Sequence, residues 1–246
     1  MREEDLTIEG RNSVLEAFRS GKTIDRLFVL DGCQDGPVRT IVREAKKGST
    51  IIDFVKKERL DQMSETKKHQ GVIAFAAAYE YATLEDMFAL AEKKGEAPFL
   101  ILLDGIQDPY NLGSIIRTAN QAGAHGVVIP KRHAAGLTAT VAKASAGALN
   151  YTPVAKVTNL SQTIEELKER GLWFVCADMD GEMMYEQKLT GPIGIVIGNE
   201  GTGVSRLVKE KCDYITRIPM FGDIDSLNAS VAMGILSYEI VRQRML

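Results

Sequence analysis

The stretch FLILLDGIQDPYNLGSIIRTANQAGAHGVVIP, residues 99–130, decides the fold class. Its apolar run, Phe99 to Leu103, reads as a buried strand and ends at Asp104-Gly105. A polar turn carrying Pro109 follows, then a helical stretch over 112–122 that stops at Gly123, then a second apolar run to residue 130. That is a strand-loop-helix-strand unit, the building block of a parallel sheet. Gln107, Asp108, Asn111 and Arg117 place amides and charges at the carboxyl end of an otherwise apolar strand. In open α/β sheets that edge is where ligands bind.

The alternation continues outward from this unit. Strands are predicted at 99–103, 126–130, 151–155, 172–177, 193–197 and 214–218, and helices at 112–122, 136–148, 160–170, 203–211 and 227–243. Strands spaced by helices imply an α/β fold whose parallel sheet is covered on both faces. Upstream, the pattern predicts a helix over 8–20, a strand over 24–30, a helix over 37–47, a strand over 50–55, a polar helix over 56–68 and a strand over 70–78. These make a small α/β module of about 80 residues. Thr83 and Asp86 are spaced as a capping box, opening a helix that ends at Lys93-Lys94-Gly95. The expected domains are therefore 1–80 and 98–246, joined by a linker over 81–97.

At 246 residues and 45% apolar content the chain supports one large core or two small ones. The net charge is only -3, and residues 1–80 carry equal numbers of acidic and basic side chains, so no global basic field marks a nucleic-acid partner. Nucleic-acid binding must use local patches. The best is Lys56, Lys57, Arg59, Lys67, Lys68 and His69, for which the bland reading is a solvated helix face; Lys131-Arg132-His133 is a second candidate phosphate contact. Cys33, Cys176 and Cys212 are scattered, without a CxxC pair or a histidine cluster, which argues against a disulfide framework and against any metal site. No N-terminal signal and no membrane-length apolar segment is present, so a soluble cytoplasmic protein is expected.

Two further loops follow predicted strands. Gly198-Asn199-Glu200-Gly201-Thr202-Gly203 sets three glycines and a carboxylate between a strand and a helix. Glycines there permit positive φ and close approach of a ligand to the backbone. The run is neither the dinucleotide fingerprint nor a P-loop. The last loop, Ile218 to Asn228, leads into a helix on which Leu227, Val231, Ile235 and Tyr238 share an apolar face. Ser226 is placed to cap that helix and to face a phosphate at its N-terminus.

Taken together, NLGSIIRTANQAG (111–123), IGNEGTG (197–203) and IPMFGDIDSLNASVA (218–232) resemble the three ordered motifs of the SpoU (TrmH-like) family of RNA ribose 2'-O-methyltransferases. The resemblance spans roughly 98–246, and three motifs in order are far more specific than one. IEGRNSVLEAF (8–18) and His69-Gln70-Gly71 resemble the small ribosomal-protein-like substrate domain of the RlmB branch, which methylates a guanosine of bacterial 23S rRNA.

The resemblance implies an α/β knot (SPOUT), a trefoil-knotted parallel sheet whose crevice holds S-adenosylmethionine. General topology rules argue against knots, so periodicity alone does not yield one. It implies cofactor contacts from Gly198, Ile218 and Leu227, and a homodimer with the site near the subunit interface. Arg117 takes the central role, with Glu200 orienting it or binding substrate, Asn111 and Asn228 fixing the loops, and Ser226 contacting phosphate. No histidine lies in the motifs, and Tyr110 stands where relatives often carry one. Deprotonating a guanidinium near pH 7 costs on the order of 7 kcal/mol. Arg117 is therefore read as a cation that binds RNA phosphate and stabilises the developing alkoxide, with a substrate phosphate taking the proton. The two-domain layout favours rRNA as partner. The rivals are a tRNA guanosine methyltransferase, a non-catalytic RNA-binding ribosome-assembly protein and, more distantly, a nucleotide-dependent dehydrogenase.

Overall fold

The computed structural model describes residues 6–48, 50–224 and 226–246. The chain divides into two compact units, residues up to 80 together with 136–140, and residues 81–135 together with 141–246.

The first unit holds β1 (Thr7–Glu9), α1 (Arg11–Arg19), β2 (Ile24–Leu30), α2 (Gly36–Lys47), β3 (Ile51–Val55), α3 (Lys57–Met63) and β4 (Val72–Ala76). Its four-stranded sheet runs β1-β4-β2-β3, with β2 and β3 parallel and β4 antiparallel to both of its neighbours. The two-residue period of β2 separates its faces: Leu27 and Val29 pack with Val14 and Ile41 of α1 and α2, while Phe28 packs with Leu60 of α3. The expected helix over 8–20 begins later, because Thr7, Ile8 and Glu9 pair with β4 instead. Gly10, at φ +88°, turns the chain from strand to helix. The expected helix over 56–68 stops at Met63. Beyond it, Ser64 Oγ, Thr66 Oγ1 and the Glu65 N–H all donate to the Glu9 carboxylate, at 2.6, 2.6 and 2.7 Å.

The second unit opens with α4 (Leu84–Lys94), whose capping box between Thr83 and Asp86 is complete and whose stop, Gly95, is left-handed as its position predicts. Then come β5 (Phe99–Asp104), α5 (Pro109–Gln121), β6 (Gly126–Pro130), α6 (Ala139–Ala144), β7 (Val154–Val157), α7 (Leu160–Glu169), β8 (Trp173–Met183), β9 (Ile193–Gly198), α8 (Arg206–Lys209), β10 (Tyr214–Arg217) and α9 (Ala229–Arg244). The six strands lie in the order β10-β8-β9-β5-β6-β7, every pairing parallel. Phe99 to Leu103 and Ile193 to Ile197 are fully buried, as central strands covered on both faces require.

Two expected helices are shorter than their sequence pattern. The one over 136–148 is cut to α6 because Ala146 and Gly147 take positive φ. The one over 203–211 is cut to α8 because Gly203, at φ +67°, closes a turn before it. Strand β8 runs past its expected end in an unusual way. Cys176 pairs with Ile215 and Glu182 with Thr216, so residues 177–181 are looped out of the ladder between consecutive residues of β10.

Candidate active site

Because β5 and β9 are neighbours and Asp104 pairs with Gly198, two of the motif loops leave the sheet side by side at its carboxyl edge. Strand order reverses here, since β5 leads outward to β6 while β9 arrives from the other side, and crevices form at such points. The loops are stitched together. Asn199 Nδ2 donates to the Gly105 carbonyl at 3.0 Å, and the Ser205 N–H donates to Asp104 Oδ2 at 2.7 Å. The turn over 199–203 is closed by reciprocal backbone bonds between Asn199 and Gly203, at 3.2 and 2.8 Å. It folds tightly onto Gly198, where an added Cβ would lie 2.1 Å from the Gly203 carbonyl carbon.

Helix α9 packs against α5 and β9 and brings the third motif to the same place. Asn111 Nδ2 donates to Glu200 Oε1 at 2.8 Å. Asn228 Nδ2 donates to that same oxygen at 2.5 Å and to Asn111 Oδ1 at 2.9 Å. One residue from each motif thus joins a single hydrogen-bonded cluster. Asn228 does a second job: its Oδ1 accepts from the Ser230 N–H at 3.0 Å and the Val231 N–H at 3.4 Å, so it is the cap of α9. The expectation that Ser226 caps this helix is therefore corrected. Asparagine caps a helix as well as serine does, and only Asn228 abuts the first turn.

Ser226 and Leu227 instead line a cleft of about 230 Å³. The expected cofactor residues Gly198 and Ile218 line it too, as does Glu200. Sequence reasoning missed Ala177, Asp178 and Met179, which enter the cleft from the looped-out part of β8, and Arg217 and Met220, which line it as well. No sequence signal marks the first three, since a bulge is set by the partner strand. Met220 sat in view inside the third motif.

The cleft is lined by apolar side chains, among them Met179, Ile197, Ile218, Met220 and Leu227, and by the polar Asp178, Glu200, Arg217 and Ser226. That donor set suits a ligand with a flat apolar body and a charged tail. Burial works to raise the Asp178 pKa, but Lys209 Nζ at 2.8 Å and the Asp180 N–H at 3.0 Å outweigh it and hold the carboxyl below its ordinary value.

Arg117 is not part of the cluster and does not line the cleft. It is exposed on α5, and among the described residues it has no hydrogen-bond or ion-pair partner. Six residues on from Asn111, it sits about 9 Å along the helix axis and about 120° around it. It shares an exposed stripe with Tyr110 and Ser114. Of the apolar face expected on α9, Val231 and Tyr238 are uncovered, 47% and 50% exposed, while Leu227 and Ile235 are half-buried; the helix buries Met233, Leu236 and Ile240.

The N-terminal basic cluster is thinner than its sequence. His69 is buried, with Nδ1 accepting from the Gly71 N–H and Nε2 bonded to Asp61 at 3.0 Å. Lys57 pairs with Asp61, and Lys67 Nζ donates to the Asp61 carbonyl. Lys56, Arg59 and Lys68 stay exposed, with no side-chain partner among the described residues. Lys131, Arg132 and His133 lie at the carboxyl end of β6, in a segment tied to the first motif loop by the Ala135 N–H on the Ile106 carbonyl at 2.8 Å. Among the described residues no group of His, Cys, Asp or Glu is arranged to hold a metal, and no helix is long and apolar enough to cross a membrane.

Comparison with known proteins agrees with this geometry. The SpoU rRNA Methylase family profile matches residues 98–238, and the profile for RNA 2'-O ribose methyltransferase substrate binding matches 7–82. YacO of Bacillus subtilis, assigned to the TrmH family of tRNA/rRNA methyltransferases, is 50% identical over 244 residues, covering 96% of this chain and 94% of its own. A TrmH-family relative in Staphylococcus saprophyticus is 46% identical over 242 residues, covering 98% and 97%. The crystal structure of the SpoU methyltransferase AviRb from Streptomyces viridochromogenes, in complex with AdoMet, superposes with a TM-score of 0.61 at 26% identity over 97% of this chain and 90% of its own. The chain belongs to the SpoU rRNA methylase family, carries its α/β-knot fold behind a substrate-binding module, and is an S-adenosylmethionine-dependent RNA ribose methyltransferase.

Proposed function

We propose that this enzyme methylates the ribose 2'-hydroxyl of one guanosine in 23S rRNA, working in the cytoplasm as a homodimer. Residues 1–80 hold the RNA and 98–246 carry the site, with 81–97 linking the two along the chain and packing α4 onto the second unit. The observation that carries the reading is the cluster of Asn111, Glu200 and Asn228, which unites three loops beside the cleft.

S-adenosylmethionine supplies an activated methyl group, so the protein's task is to position the two reactants and manage one proton. Ile218 and Leu227 pack the adenosyl part, and Gly198 contributes backbone to the cleft wall while letting the 199–203 turn fold tightly against it. Asn111 and Asn228 set the Glu200 carboxylate, whose remaining oxygen orients the ribose. Ser226 meets phosphate. Arg117 neutralises the developing alkoxide and an adjacent substrate phosphate, and that phosphate takes the hydroxyl proton. Since it stands outside its own cleft, Arg117 serves the cleft of the partner subunit, and the uncovered Val231 and Tyr238 face is where the two copies meet. Lys56, Arg59 and Lys68 contact the RNA backbone, with Lys131 to His133 as a second contact.

The test is transfer of labelled methyl to total rRNA and, separately, to total tRNA, by wild type and Arg117→Ala. Label at one alkali-resistant 23S guanosine, lost in the variant, supports the proposal. Label in tRNA alone moves the substrate and keeps the chemistry. No transfer to either RNA, or to ribosome precursors, points to a binding protein.

A further inference from the structure

We infer that Arg217 binds the α-carboxylate of S-adenosylmethionine and so makes the cleft selective for the intact amino-acid tail. The inference rests on the cofactor occupying this cleft, as proposed above.

Arg217 is the only cation among the described residues that line the cleft, which also holds two carboxylates, Asp178 and Glu200. S-adenosylmethionine brings the opposite inventory: one carboxylate against an ammonium and a sulfonium. Its single anionic group therefore matches the single cation of the cleft.

The neighbours explain why Arg217 stays available. Asp178 comes from the looped-out part of β8, next to the strand that carries Arg217, and would be its natural partner. Lys209 holds Asp178 Oδ2 at 2.8 Å, and the Asp180 N–H occupies its other oxygen. Glu200 Oε1 is likewise engaged by the two asparagines. Arg217 has no ion-pair partner among the described residues, while its backbone is fixed: Thr216 and Arg217 pair with β8, and the Arg217 carbonyl accepts the Met184 N–H at 3.1 Å. A guanidinium on a rigid strand, left unpaired at a polar cleft wall, has the geometry to grip a carboxylate with two N–H groups.

The experiment is calorimetric binding of S-adenosylmethionine, decarboxylated S-adenosylmethionine and 5'-methylthioadenosine to wild type, Arg217→Gln and Arg217→Lys, without RNA. Wild type should bind S-adenosylmethionine at least about tenfold tighter than its decarboxylated form, tenfold being what one of the two charge-assisted hydrogen bonds supplies. Arg217→Gln should lose that preference with affinity for the other two ligands unchanged, and Arg217→Lys should keep part of it. Equal weakening of all three ligands would make Arg217 merely structural, and an unchanged preference would remove it from the subsite; either overturns the inference. If wild type binds none of them, the reading of the cleft itself fails, which is a separate result.

Discussion

Replacing Gly198 with alanine tests whether the site depends on one close backbone approach. The new Cβ would lie 2.1 Å from the Gly203 carbonyl carbon, 2.2 Å from the Val204 nitrogen and 2.4 Å from the Gly203 oxygen. All three are backbone atoms, so no side chain can swing aside. To reach an ordinary contact of 3.4 Å the 199–204 turn must retreat by about 1.3 Å. That takes the Asn199–Gly105 and Ser205–Asp104 bonds, now 3.0 and 2.7 Å, out of hydrogen-bonding range. Overpacking and the lost bonds together should cost about 2–4 kcal/mol. In a chain of this length that lowers the melting temperature by roughly 5–15 °C. Cofactor affinity should fall with it, because Glu200 moves with the turn. The control is Gly201→Ala, whose Cβ would meet only Asn199 Oδ1 at 3.4 Å. Calorimetric melting and S-adenosylmethionine titration of both variants decide the matter. A Gly198→Ala protein that melts within a degree of wild type and binds cofactor normally would refute the reasoning.

Other outcomes follow from the same geometry. Burial first, then the nearby charges of Lys94 and Arg244, hold the His125 pKa below its ordinary 6.5 despite the Glu96 hydrogen bond. The unfolded chain therefore takes up a proton before the folded one does, so stability should fall as pH drops below about 6.5, and urea midpoints for wild type and His125→Asn should converge toward acid. Arg244 donates to the Gly191 and Pro98 carbonyls at 2.6 and 3.3 Å with Phe99 beneath it, and Arg244→Met should cost about 2–3 kcal/mol in chemical denaturation. Glu200→Ala leaves the Asn111 amide N–H without its acceptor and Asn228 with only its bond to Asn111, and should cut turnover at least tenfold, a size typical of a lost positioning group, with the fold kept by circular dichroism. Substituting Lys56, Arg59 and Lys68 together by alanine should reduce the slope of log affinity for RNA against log salt by about 2–3; an unchanged slope would place the RNA elsewhere.

The sheet was legible because its information is local. Strands buried on both faces must be apolar runs, and Phe99 to Leu103 and Ile193 to Ile197 have no other reading. Helix starts were legible where the chemistry is short-range, as with Thr83 and Asp86. The start of α5 was missed although its signal was there: Asp108 accepts from the Tyr110 N–H at 3.0 Å, with Pro109 at the first helical position. What sequence could not carry was pairing across the chain. Ile8 and Glu9 fit a helical pattern but are claimed by β4, and residues 177–181 of β8 are left out of its ladder with β10, a partner about 35 residues away. In the site, Asn228 and Ser226 were both suitable caps by type. Only the position of α9 decides that one caps and bridges while the other lines the cleft.

The bridging cluster also has a consequence for how the enzyme comes into being. Asn111 is separated from Glu200 by 89 positions and from Asn228 by 117, so these contacts close among the longest loops in the chain. Contacts of that separation form late, after local helices and adjacent strands have already taken shape. During refolding from denaturant, helical signal should therefore recover ahead of cofactor affinity. The methyl-transfer site is then a readout of the completed knot, and partly folded chains bearing most of their secondary structure remain catalytically silent.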